Sequence, residues 1–437
     1  MTELTSDVAD TICRTVELGV TITGAAVDAD DRTHLWCRPL DPDTRCPGCG
    51  NPGRRRDLVD RVLTDVPISG HRTKLHVAVP RLLCESIDCD RSIYRAGIET
   101  IAAPRAVVTT RTCRWILQQI VVNKMSVSAV AAQLGVAWKT VNAIAVDACR
   151  ALVYTGDHLD GVRHLGVDEH KWKHVRGQGD PSFVTVLIDL TPVIDGTGPA
   201  RLLDMIAGRS KQVLKDWLAE RDQQFRDRIK VVAMDGFTGY KTATVEALPK
   251  TRVVMDPFHV VHLAAQKLDQ CRQRVQQATC GRRGRTHDPL YKIRRILHTR
   301  EELLTDKQRI RLFESLTSHD DHAAVEVTHQ VYQQLIAAYE HPKRREGKKL
   351  MYKTLRRIRT EVPDGLAELA QLGRSLWARR QEILAYFDTG VSNGPVEAIN
   401  GRLEHLRGIA QGFRNLDHYI FRSLLHSGQL ADRINAL

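Results

Sequence analysis

The chain has 437 residues, 42% of them hydrophobic; at ~100–200 residues per domain this supports two to four domains with cores of their own and excludes a disordered or solvating polymer. Lys and Arg number 64 against 52 Asp and Glu, a net charge of +12, and a basic surplus of that size attracts polyanions, of which nucleic acid is the usual one. No run of ~18 apolar residues occurs, so no membrane span is expected, and the N-terminal sequence has neither the basic nor the apolar stretch of a secretion signal. A cytoplasmic location follows as an expectation, and the ten cysteines then read as metal ligands or buried thiols rather than disulfides.

Residues 1–105 read as a zinc-binding module. Cys46-Pro-Gly-Cys49-Gly has the spacing at which two thiolates reach one tetrahedral ion, and Cys84-x4-Cys89 supplies a second pair. Short strands at residues 66–68 and 75–79 predict a hairpin that folds the pairs together. Four thiolates would close a structural Zn²⁺ site. His71 and His76 are possible substitute ligands, though each reads first as an ordinary strand residue. Arg54, Arg55 and Arg56 follow the first pair as a solvated turn or a phosphate contact, the latter favoured by the basic chain.

Residues 106–158 read as a helix-turn-helix. Ser126 is placed to cap a helix to Leu134, Gly135 breaks it, and a second helix begins at Trp138. Ala131 lies four residues before Gly135 and Val141 six after it, which gives a small residue for close approach, a glycine for the turn and an apolar anchor for the second helix. Lys139, Thr140 and Asn142 are then expected to face DNA.

From residue 163 the pattern becomes a mixed α/β sheet. Five strand-like runs are predicted, near residues 164–168, 183–189, 201–207, 230–235 and 252–256. Asp168, Asp235 and Asp256 stand at the ends of three of them, and carboxylates on neighbouring strand ends suit a divalent cation pair. The following stretch lacks strand character. Residues 271–311 hold 12 Lys and Arg against 4 acids, and residues 343–359 hold 9 against one, as expected of helices with phosphate-facing surfaces. Near the C-terminus Pro395 opens a helix with Glu397 in its first turn, and Asn400 and Glu404 on the same face.

Taken in order, Cys46-Pro-Gly-Cys49, Leu165-Gly-Val-Asp168-Glu, Val232-Ala-Met-Asp235-Gly, Asp256-Pro-Phe-His259-Val, Ser392-Asn-Gly-Pro-Val-Glu397-Ala-Ile-Asn400 and Gly412-Phe-Arg-Asn415 run through most of the chain. They resemble the DDE transposases of bacterial insertion sequences, of the insertion sequence L-three family. The resemblance implies a multidomain α+β protein: a zinc-binding N-terminal module, a helical helix-turn-helix module and a ribonuclease H-like mixed α/β catalytic domain interrupted by an α-helical insertion. The implied boundaries are 1–105, 106–158, 159–275, 276–388 for the insertion and 389–437 for the last part of the core. It implies Asp168, Asp235 and Glu397 as the acid triad holding Mg²⁺ or Mn²⁺, with Asp256, His259 and Asn400 in support. Spacings of 67 and 162 residues between the acids fit an insertion before the third. Implied partners are double-stranded DNA, both terminal inverted repeats and target, with homo-oligomers assembled on it and a nucleoid-associated bacterial setting. Two departures are modest: Pro395 stands where a basic residue is expected, and Cys84-x4-Cys89 is wider than a plain knuckle. A nuclease without strand transfer and a non-catalytic regulator derived from a transposase remain the alternative readings.

Overall fold

The computed structural model describes residues 3–154, 157–173 and 182–436. It divides into two compact units, Met1–His158 with Leu406–Leu437, and Leu159–His405.

The first unit opens with helices α1 (Glu3–Cys13) and α2 (Thr15–Leu18), followed by strands β1 (Val20–Val27), β2 (Thr33–Pro39), β3 (Arg54–Ile68), β4 (His71–Leu83) and β5 (Ile93–Arg95). They form one sheet in the order β1-β2-β4-β3, with β5 on β4. The expected hairpin is β3–β4, but it is far longer than residues 66–79. The first nine residues of β3, Arg54 to Val62, contain no buried residue and six charged ones, which hides this part of the strand among loop-like sequence. Ser69 and Gly70 both take positive φ (52° and 88°), as a two-residue turn matched to strand twist requires. One face of the sheet packs Leu35, Cys37, Leu63, Leu75, Val77 and Val79 into a core, so Cys37 is a core thiol.

Helices α3 (Thr110–Leu117), α4 (Val127–Leu134) and α5 (Trp138–Cys149) follow. Ser126 caps α4 by accepting from the Ala129 N–H (3.1 Å), Gly135 ends it in the left-handed region, and Ala131 and Val141 are buried between α4 and α5. Asp65, fully buried on β3, joins the sheet to α3. It accepts from Thr109 Oγ1 (2.7 Å), from Arg111 Nε (2.8 Å) and from Arg111 Nη2, while Arg111 Nη1 also donates to the carbonyls of Cys13 (2.9 Å) and Arg14 (2.8 Å).

The second unit holds β6 (His164–Lys171), β7 (Phe183–Asp189), α6 (Thr191–Asp195), β8 (Arg201–Ala207), α7 (Lys211–Ala219), α8 (Gln223–Arg228), β9 (Val231–Met234), α9 (Thr238–Ala247) and β10 (Arg252–Met255). The sheet order is β10-β9-β6-β7-β8. β6, β7 and β8 are antiparallel neighbours, and β9 and β10 run parallel to β6. This is the ribonuclease H-like arrangement. One face packs Leu165, Val167, Val232 and Met234 against Leu214, Trp217 and Tyr240 of α7 and α9.

A helical body follows: α10 (Pro257–Cys280), α11 (Pro289–Lys292), α12 (Asp306–Thr317), α13 (Ala323–Glu340), α14 (Arg344–Thr360), α15 (Ala367–Ala378) and α16 (Arg380–Thr389). It has its own core, from Val260 and Leu268 through Leu335 and Met351 to Ile383. Helical structure begins at Pro257, so the expected boundary at residue 276 falls inside α10. Helix α17 (Gly394–Ile409) then carries Glu397, and α18 (Leu416–Ser427) and α19 (Ala431–Asn435) complete the chain. The expected last piece, 389–437, is thus shared out: residues from Leu406 onward group with the first unit. There α18 covers α5, with His418 Nε2 at 3.5 Å from Asn142 Nδ2 and its ring 6.1 Å from that of Trp138.

Asp65→Ala leaves the Arg111 guanidinium half-buried without its anion. A loss of about 3–5 kcal/mol is expected for the first unit, read as a lower denaturation midpoint; a change below about 1 kcal/mol would show that the pair does not hold the sheet to α3.

Candidate active site and zinc centre

The hairpin β3–β4 carries the second cysteine pair back to the first. Cys46 and Cys89 Sγ lie 3.8 Å apart, Cys49 and Cys84 Sγ 3.6 Å apart, and all four lie within 4.8 Å of one another. Tetrahedral Zn–S bonds of ~2.3 Å put sulfurs ~3.8 Å apart, so the set fits a closed structural zinc site. The Gly48 N–H points at Cys46 Sγ (3.4 Å), which favours the thiolate. His71 and His76 are not part of this set: His71 pairs with Asp31 (2.8 Å) and His76 with Asp60 (3.2 Å). Among the described residues, this is the only group of three or more such donors drawn so close together.

The acids occupy the sheet face opposite the α7–α9 core. Val167 is paired with Met234, so Asp168 and Asp235 are neighbours one step further along β6 and β9. Asp168 does not end its strand, as the sequence suggested; β6 continues to Lys171 because β7 still pairs with it there. Asp235 lies just past β9, its Oδ1 accepting from the Phe237 N–H (2.8 Å). Burial pushes the Asp168 carboxyl up to about 7, and the charges of Asp235, Glu169 and Glu397 add to the rise against the Glu169 N–H. Glu397, exposed on α17, is raised by partial desolvation and by Asp256. Glu169, on the other strand face, pairs with Arg209, and Asp189 pairs with Arg201.

Helix α17 reaches this face through matched spacings. Two strand residues advance ~6.6 Å and four helical residues ~6.0 Å, so β6 and α17 meet in rungs. A Cβ at Gly166 would collide with Val396; Asn400 Nδ2 donates to Asp168 Oδ2 (3.0 Å); His170 Nε2 lies 3.8 Å from Glu404 Oε1. The absent side chain at Gly166 lets the helix approach. Asn400 Oδ1 is buried without a protein partner among the described residues, an oxygen donor directed into the same region.

Asp256 is a structural neighbour of the acids. It caps α10 by accepting from the His259 N–H (3.3 Å) and holds the Asn393 N–H (2.8 Å) at the entry to α17; burial raises its carboxyl. The His259 ring packs on Gly236, where a Cβ would strike it, and Arg379 Nη1 donates to the Gly236 carbonyl (2.9 Å). Gly166, Asn393 and Arg379 escaped the sequence reading. A glycine two residues before a strand acid was the one available signal among them.

On α5, Lys139 is exposed and Thr140 half-buried, but Asn142 is buried, contrary to expectation. The helix packs α3 and α4 on one side and α18 on another, which widens its inward face to include residue 142. Trp138, 44% exposed at the start of α5, joins Lys139 on the open surface. Arg54, Arg55 and Arg56 begin β3 and are exposed; Arg54 reaches Glu85 (2.5 Å) and Arg56 reaches Asp57 (3.6 Å). Helix α14 buries Met351, Leu355 and Ile358 and exposes Arg345, Lys349, Lys353, Arg356 and Arg359.

A family profile described as a transposase matches residues 165–423, more than half of the chain, and spans all three acids. The chain belongs to the ISL3 transposase family. The helix-turn-helix domain of transposase family ISL3 matches residues 99–149, and the zinc finger of transposases IS204, IS1001, IS1096 and IS1165 matches residues 42–89. The transposase for insertion sequence element IS1001 of Bordetella parapertussis is 26% identical over 397 residues, covering 89% of this chain and 90% of that protein. This ISL3 protein is therefore a DNA transposase, with a zinc ribbon and a DNA-binding helix-turn-helix ahead of its catalytic domain. Among the described residues no helix is long and apolar enough to cross a membrane.

Two outcomes are expected for the ISL3 catalytic domain. Gly166→Val should displace α17 with Glu397 and Asn400 and lower DNA processing about 100-fold, as misplacement of ~1 Å can, without weakening DNA binding; unchanged turnover would show that the close approach at Gly166 does not position α17. Asp168 binds its proton more tightly folded than unfolded, so in metal-free protein its contribution falls as pH rises from about 4 to about 7 and is level above. Melting curves across that window should lose this slope in Asp168→Asn; equal slopes would show that the Asp168 carboxyl is not raised.

Proposed function

We propose that this transposase recognises the terminal inverted repeats of its insertion sequence through its first unit and cuts and joins DNA with Asp168, Asp235 and Glu397. The observation that carries the reading is the contact of α17 with β6, where Asn400 Nδ2 donates to Asp168 Oδ2 (3.0 Å) and Val396 closes on Gly166, so that the helix bearing Glu397 lies on the strand face bearing Asp168. Three acids from two strands and a late helix, in a chain of net charge +12, suit hard divalent cations. Mg²⁺ or Mn²⁺ held by these carboxylates would neutralise charge at the phosphodiester and activate first water and then a DNA 3′-hydroxyl for in-line attack. Asn400 holds Asp168 in orientation through Nδ2 and offers Oδ1 as a further donor. Asp256 and His259 act as positioning residues, fixing the entry to α17 and the turn after Asp235. No Ser or Tyr nucleophile is required.

Trp138, Lys139 and Thr140 in the first turn of α5 would meet the terminal repeat, with Arg54, Arg55 and Arg56 as phosphate contacts. The basic stripe of α14 would track the backbone of terminal or target DNA. Joining two ends to one target requires two catalytic sites, so a homo-oligomer assembled on DNA is part of the proposal.

A strand-transfer assay with labelled terminal sequences and Mg²⁺ tests it. Cleavage and joining are expected from the wild type; cleavage alone would indicate a nuclease, and binding alone a regulator. Asp168→Asn, Asp235→Asn and Glu397→Gln should each abolish cleavage with near-normal DNA binding. Asp256→Asn keeps one acceptor oxygen but turns an amide NH2 toward the other backbone N–H, so it should lower activity part-way by loosening the corner that seats α17; a dead Asp256→Asn beside an active Asp235→Asn would move the second acid to β10. In salt titrations followed by fluorescence anisotropy, Lys139→Ala should weaken binding and reduce the salt slope by about one. Full affinity and an unchanged slope would place the DNA contact elsewhere.

A further inference from the structure

We propose that the outer face of the N-terminal sheet carries a second metal site, in which His34 and His76 together bind one borderline divalent cation such as Zn²⁺. Strands β2 and β4 are parallel neighbours with Trp36 opposite His76 and His34 opposite Lys74, so both histidines project from the face away from the core. His34 Nδ1 and His76 Nε2 face each other at 2.9 Å. The remaining nitrogens are each held by a carboxylate: His34 Nε2 lies 3.0 Å from Asp28 Oδ2 and His76 Nδ1 lies 3.2 Å from Asp60 Oδ2.

A carboxylate only accepts, so each outer nitrogen carries the N–H and, in a neutral ring, each inner nitrogen presents a lone pair. Two lone pairs 2.9 Å apart repel unless a cation lies between them. A carboxylate behind each imidazole is the arrangement that fixes tautomer and ring orientation in metal-binding histidines. Here it is built in advance: Asp28 Oδ1 accepts from the N–H groups of Asp30 (3.0 Å) and Arg32 (2.9 Å). Trp36 stacks on the His76 ring (5.0 Å, 18°) and lies against Gly24 on β1, which holds the imidazole plane.

The size also fits. Tetrahedral Zn–N bonds of ~2.0–2.1 Å place two nitrogens ~3.3 Å apart, a few tenths of an ångström beyond the present separation. The side chains are 24% and 17% exposed, enough for water to complete the coordination. Imidazole pairs suit zinc, copper and nickel rather than magnesium, so this site and a carboxylate site take different metals. The competing cation is a single shared proton, which would make the pair an imidazole–imidazolium bridge.

The test is zinc stoichiometry on the full-length protein, in saturating Mg²⁺ to occupy carboxylate sites, by equilibrium dialysis against Zn²⁺ and elemental mass spectrometry. Two zinc ions per chain are expected for the wild type and one for His34→Gln or His76→Gln. Asp28→Asn should retain the second ion with about 10–100-fold weaker affinity. Histidine ¹⁵N spectra of the wild type, which need no variant to fold, should show one nitrogen of each ring shifted on zinc addition. One zinc per chain in the wild type, two in either histidine variant, or rings that stay a proton-sharing pair in saturating zinc would each overturn the proposal. None of these results bears on the acid triad.

Discussion

The second unit is organised around the cost of negative charge held out of water. Asp168 is partly desolvated and within electrostatic reach of Asp235, Glu169 and Glu397, and its carboxyl rises to about 7 as a result. A protein does not assemble such a group for stability, because ionising it opposes folding. The surrounding structure contains that cost locally: Asn400 donates to Asp168, the Phe237 N–H to Asp235, and the Asn393 and His259 N–H groups to Asp256. Under the proposed function, the charge that these donors leave uncompensated is what a divalent cation would neutralise.

Rigidity at this face comes from the contacts that surround the acids. Three rungs between β6 and α17 set the third acid against the first, and the glycine at residue 166 sets the closeness of approach. Asp256 joins the end of β10, the start of α10 and the entry of α17 in one hydrogen-bonded corner. Through it the helical body, despite its length of more than 120 residues, returns the chain to the sheet with Glu397 in position. Arg379 from that body donates to the carbonyl beside Asp235, so the insertion also touches the turn that presents the second acid.

The first unit solves a different problem, presenting the second helix of its helix-turn-helix from a sheet with a covered face and an open one. Four thiolates tie the base of the β3–β4 hairpin, and the Asp65–Arg111 pair ties β3 to α3. Helix α18, arriving from the end of the sequence, covers the side of α5 that would otherwise expose Asn142 and leaves Trp138 and Lys139 open. The open face of the sheet is where the paired histidines lie.

Much of this was legible in the sequence, where a residue's type settles its local role. The Cys46–Cys49 and Cys84–Cys89 pairs, the Ser126 cap, the Gly135 turn and the five strands of the catalytic sheet each follow from spacing or backbone preference that needs no distant partner. The readings that failed depended on what packs from afar. Asn142 looks like a surface residue of a recognition helix until α18, some 276 residues later, covers it. Asp168 looks like a strand end until β7 extends the pairing of β6, and the start of β3 looks like a charged loop because burial begins only at Leu63. The long helical insertion was legible as helix, but its beginning at Pro257 was not, since Asp256 reads equally as a strand-end acid and as a helix cap. Sequence by itself determined which groups carry charge, can ligate a metal or break a helix. Tertiary structure alone decided which of them meet, because burial, charge coupling and the facing lone pairs of His34 and His76 are properties of separations that no local spacing encodes.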